Sequence, residues 1–97
     1  MLTDDEIDNR INLLFSCLIY SSERTEIFTT GERICINQER GALHDLKNRS
    51  IDYRRKKTVY KVPQSIEAKI DTCSQLMNRN ASWESPTQEK YWETEII

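Results

Sequence analysis

Apolar residues recur at helical spacing in two stretches of the chain. Ile7, Ile11, Leu14 and Leu18 follow one another at steps of four, three and four, with Phe15 and Ile19 widening the stripe. Thr3 and Glu6 form a capping box ahead of it, and Asp4, Asp5 and Glu6 suit the positive end of a helix dipole. This pattern predicts an N-terminal helix within Thr3–Ser22. Ile66, Ile70, Cys73 and Met77 repeat the same spacing behind Pro63, a residue well placed at a helix start. Two helices with matching stripes are most simply explained by packing against each other.

Between them the pattern is less regular. Residues 26–36 ("EIFTTGERICI") are rich in β-branched residues around Thr30-Gly31. They predict a short hairpin with Ile34 and Ile36 on one face, and a loop leading into a helix fits almost as well. A helix starting at Asn37 would bury Leu43 and Leu46, with Gly41 near its middle weakening it. From Lys57 to Val62 the residues alternate, and Val62 precedes Pro63, which favours an extended backbone there. This predicts a strand with Tyr60 and Val62 on the core side. At the end, Ser85, Pro86 and Gln88 signal a short helix in a segment carrying Trp83, Tyr91 and Trp92. The expected fold is therefore α+β and predominantly helical. It has a capped N-terminal helix packed on a central helix, one or two short strands and a short C-terminal helix. Residues 1–97 form one small domain in this reading, with 81–97 the segment most able to stand apart.

Composition narrows the function by exclusion. The two glycines, Gly31 and Gly41, make no phosphate-binding loop. Cys17, Cys35 and Cys73 are widely spaced and the single His44 has no nearby partner, so no zinc-ligand pattern appears. Cys17 and Cys73 fall on apolar helical faces and read as small buried hydrophobes in a reducing compartment. His44 and Asp45 are adjacent, and neighbouring helix residues point apart rather than forming a dyad. The acidic start is the reverse of a signal peptide, and no apolar run is long enough to span a bilayer. The expectation is a cytoplasmic protein that is no enzyme and uses no cofactor or metal.

Charge adds the strongest signal. The net charge is -2, yet residues 47–61 hold 7 basic residues and 1 acidic one. The preceding 46 residues hold 4 basic and 9 acidic, and residues 62–97 hold 3 and 6. Such segregation marks Arg54, Arg55, Lys56, Lys57 and Lys61 as an exposed patch for a partner protein or for nucleic acid. Trp83, Tyr91 and Trp92 are rigid aromatics of the kind that anchor interfaces.

The stretch "KTVYKVPQSIEAKIDTCSQLMNR" resembles the strand, proline and first helix of the ribbon-helix-helix family, with its second helix at Pro86–Glu95. The resemblance implies a dimer whose paired strands lay Lys57, Val59 and Lys61 in the DNA major groove. It stands second because Val59 is apolar where a polar reader is expected, and because Trp83-Glu84-Ser85-Pro86 delays the second helix. The leading expectation is a small regulatory or inhibitory protein of the phage or mobile-element accessory type. It would bind a larger, nucleic-acid-handling protein or complex. The alternative is a DNA-binding repressor or antitoxin using strand 57–62.

Overall fold

A computed structural model describes residues 2–56, 59–80 and 83, and within them every regular element is a helix. The elements are α1 (Asp4–Tyr20), α2 (Thr30–Lys47), α3 (Ile51–Lys56) and α4 (Gln64–Arg79). The expected α+β class is thus corrected: among the described residues there is no strand and no sheet. The C-terminal helix expected from Pro86 lies outside the described residues.

α1 begins where its capping signals predict, with the Thr3 hydroxyl accepting the Glu6 N–H. Its far end carries no cation in the last turn, so the orphan carbonyls take donors from beyond it. Ser21 and Ser22 hydroxyls donate to Leu18 and Ile19, while the Arg24 and Arg33 guanidinium groups reach Tyr20 and Leu18.

In place of the expected 26–36 hairpin, residues 26–29 form a loop that leads into α2, which is the second of the two readings. Thr29 and Glu32 make a reciprocal capping box, the side chain of each accepting the other's backbone N–H at 3.2 and 2.8 Å. The helix therefore begins well before Asn37. Ile34 and Ile36, expected on one strand face, are separated by the helical turn: Ile36 is 0% exposed and Ile34 55%. Leu43 and Leu46 are buried as expected. Gly41 sits on the exposed side of α2, and a Cβ built there would meet nothing within 4 Å. Gly41→Ala should therefore stabilise the fold by about 1 kcal/mol, read as a higher urea midpoint at unchanged slope.

α1 is the central element, lying along α2 and also against α4. The two stripes meet as the spacing predicts: Ile7, Ile11, Leu14 and Cys17 share one core with Ile66, Ile70, Cys73 and Met77. Leu18 is half-buried at the margin of that core. The basic connection contains α3, started by the Ser50 hydroxyl accepting the Tyr53 N–H. Of the expected strand, residues 59–62 form no strand, and 57–58 lie outside the described residues. Val62 turns into the core, but Tyr60, expected beside it, is 41% exposed. The Val62 N–H, which a strand would offer to a neighbour, donates to a Glu39 carboxylate oxygen at 2.9 Å.

Candidate functional site

Residues 59–62, ahead of α4, line one side of a cleft of about 580 Å³. Its lining includes Arg10, Glu39 and Glu67 from three helices, with Tyr60, Lys61 and Val62 from the connection. Arg10 holds both carboxylates at once. Its Nε donates to Glu39 at 2.6 Å, its Nη1 to Glu67 at 3.0 Å, and its Nη2 to Glu39 and Glu67 at 3.3 and 2.6 Å. Glu39 is only 2% exposed, so this charge is buried because the guanidinium and the Val62 N–H meet it. Burial disfavours the Arg10 charge, but the hydrogen bonds to Glu39 and Glu67 outweigh it and hold its pKa above the ordinary arginine value. Arg10 thereby ties α1, α2, α4 and the connection together at one point.

The sequence carried a sign of this network that simple periodicity passes over. Arg10 sits inside the Ile7–Ile11–Leu14 stripe, and Glu39 inside Ile36–Leu43–Leu46. A charge on an apolar face calls for an opposite charge on the facing helix. Which helix supplies it depends on the tertiary packing.

The basic window divides in two. Lys47 pairs with Asp8 at 2.6 Å, Arg49 with Asp45 at 3.2 Å, and Arg54 with Asp4. Arg54 also donates to the Leu46 and Lys47 carbonyls, at 3.1 and 2.8 Å, closing the C-terminal end of α2. Its side chain is 11% exposed, so Arg54 is a structural clasp and not the open docking cation expected. Arg55 and Lys56 lie on α3, Lys57 is outside the described residues, and Lys61 is exposed. Lys61 and Tyr60 thus stand together at the cleft.

The aromatic anchors divide as well. Trp83 packs edge-on to Tyr20, with centroids 5.1 Å apart and planes at 84°, and joins the margin of the core. Tyr91 and Trp92 lie outside the described residues. His44 is half-buried in the last turn of α2, and its sequence neighbour Asp45 is engaged by Arg49. At the opposite end of α2, hydrogen bonds from Lys69 and from the Thr29 N–H hold the Glu32 carboxyl below the usual range. Among the described residues no cluster of metal-ligating side chains occurs, and no helix is long and apolar enough to cross a membrane. Comparison with protein-family models, with curated proteins and with solved structures finds no match.

Proposed function

We propose that this chain is a small, non-enzymatic helical regulator that binds a larger, nucleic-acid-handling protein or complex in the cytoplasm. The contact is electrostatic, made by Arg55, Lys56, Lys57 and Lys61 with an acidic surface on the partner, and Tyr60 adds an exposed ring beside Lys61. The supporting observation is the division of the basic window. Lys47, Arg49 and Arg54 pair with Asp8, Asp45 and Asp4, whereas Lys61 is exposed to solvent. Arg54 ties the connection to the bundle, and Lys61 faces solvent beyond it. Carboxylates of α1 already accept cations of this window, so a carboxylate-rich partner fits the same chemistry. The DNA-reading alternative stood on strand 57–62, of which the described residues 59–62 form no strand.

The test begins with affinity capture from cells that express the chain, with and without nuclease treatment. The recovered partner is then used to measure association rate against ionic strength. Arg55→Glu with Lys56→Glu should slow association about tenfold at low salt, and the gap should close as salt rises. Equal rates at all salt concentrations would reduce the cluster to a solvated connection. Capture that yields nucleic acid alone, and is lost on nuclease treatment, would replace the protein partner with nucleic acid.

A further inference from the structure

The cleft holds binding capacity that its internal network leaves unused. At about 580 Å³ it falls within the range of small-molecule sites, about 300–1,000 Å³. Part of its lining is apolar, from Leu2, Leu43, Val59 and Val62. The charged part is uneven. Arg10 and Glu39 offset each other, because the guanidinium donates twice to that carboxylate, which also takes the Val62 N–H. Glu67 accepts one bond from Arg10 at each oxygen, and its side chain is still 38% exposed. A carboxylate oxygen has two acceptor positions, so each Glu67 oxygen keeps room for a further donor. Glu6 adds an exposed carboxylate to the lining, Tyr60 an exposed ring and Lys61 a cation outside the Arg10 network. The three carboxylates, Glu6, Glu39 and Glu67, against Arg10 and Lys61 leave the lining net negative.

We infer that this cleft is a binding site for an aliphatic amine, held as its ammonium ion. The ammonium donates to the open acceptor positions of Glu67 and to Glu6, in charge-assisted hydrogen bonds. The alkyl chain lies against Leu2, Leu43 and Val59, and the Tyr60 ring offers a π-face to the cation. An anion meets the opposite situation. To reach Arg10 it must displace Glu39 or Glu67, and Glu39 is buried, so the exchange strands a carboxylate. A neutral chain gains the apolar wall but strips water from the carboxylates without replacing its hydrogen bonds. A metal ion finds no cluster of three ligating side chains among the described residues. Lys61 opposes the ammonium, so removing its charge should tighten binding. The inference stands apart from the partner reading, because it uses the carboxylates of the cleft and not the cations of the connection.

The experiment titrates the full chain with n-pentylamine and follows its backbone amide signals by nuclear magnetic resonance. n-Pentanol and pentanoate are run at the same pH and ionic strength. The expected result is a set of saturable shifts centred on Leu43, Val59 and Val62, with a Kd on the order of a millimolar. n-Pentanol should bind about tenfold more weakly, and pentanoate should not bind. Glu67→Gln and, separately, Glu6→Gln should each weaken amine binding about threefold or more, and Lys61→Ala should strengthen it about twofold at low salt. Glu6 and Lys61 are exposed, so those two variants stay readable where Glu67→Gln, by loosening Arg10, disturbs the fold. A capped lysine, Nα-acetyl-lysine methylamide, separates two sources of the same chemistry. Tighter binding than pentylamine assigns the cleft to a lysine side chain of another protein, and weaker binding to a free amine. The inference is overturned if n-pentanol binds as tightly as pentylamine, if pentanoate binds better, or if the shifts fail to saturate or scatter away from the cleft. It is also overturned if Glu6→Gln and Lys61→Ala both leave the affinity unchanged.

Discussion

Arg10→Met is expected to lower stability by about 3–5 kcal/mol, a large fraction of what a domain of this size holds in total. The reason is what the substitution leaves behind. Glu39 would remain buried, with the Val62 N–H but without its countercharge, while Glu67 reaches water at the cleft edge. A buried unpaired carboxylate costs more than the attraction of the pair was worth, so the loss measures stranded charge rather than bond strength. Adding Glu39→Gln removes that charge and keeps a carbonyl oxygen for the Val62 N–H. The double variant should therefore be more stable than Arg10→Met alone, an inversion that a simple contact count would not give. Because Glu39 is shielded from solvent, most of the Arg10→Met loss should persist at high salt. Urea unfolding of the three variants at low and high ionic strength reads both effects. A loss under about 1 kcal/mol for Arg10→Met would place the network among weak surface pairs.

What the sequence made legible follows from which signals are local. The α1 and α4 stripes and the Thr3 cap need only helical spacing, and they appear where expected. The start of α2 is less legible, although Thr29 and Glu32 present the same capping-box spacing as Thr3 and Glu6. Their box lies inside a β-branched run, where Thr30-Gly31 also reads as a turn. The alternation of residues 57–62 suits a strand, and it suits equally an extended chain laid across a helical bundle. Tyr60 and Val62 share parity, so a flat strand would point both inward. The segment is anchored instead through the Val62 N–H and side chain, and Tyr60 is left outside. The same limit applies to Arg54. Nothing local distinguishes it from Arg55, and its clasp on Asp4 and the end of α2 exists only once the bundle has formed.

The shared core makes the second large prediction. Ile70→Ala and Leu14→Ala should each cost about 2–5 kcal/mol, because both side chains are fully buried in the core that α1 shares with α4. Their loss removes transfer energy and opens a cavity that the neighbouring helices can close only in part. Which of the two costs more depends on how far the helices can collapse, and α1 is held on two sides, by α2 and by α4. Leu14→Ala is therefore expected to be the more damaging. Tyr60→Ala supplies the contrast. A strand reading puts this ring in the core and predicts a comparable loss, whereas its exposure predicts a change within about 0.5 kcal/mol. Chemical unfolding of the three variants separates the two architectures. Large losses at Leu14 and Ile70 with none at Tyr60 require the helical bundle, and a large loss at Tyr60 would restore the strand. The same Tyr60→Ala protein, still folded, then becomes the reagent for asking whether the ring beside Lys61 contributes to partner binding.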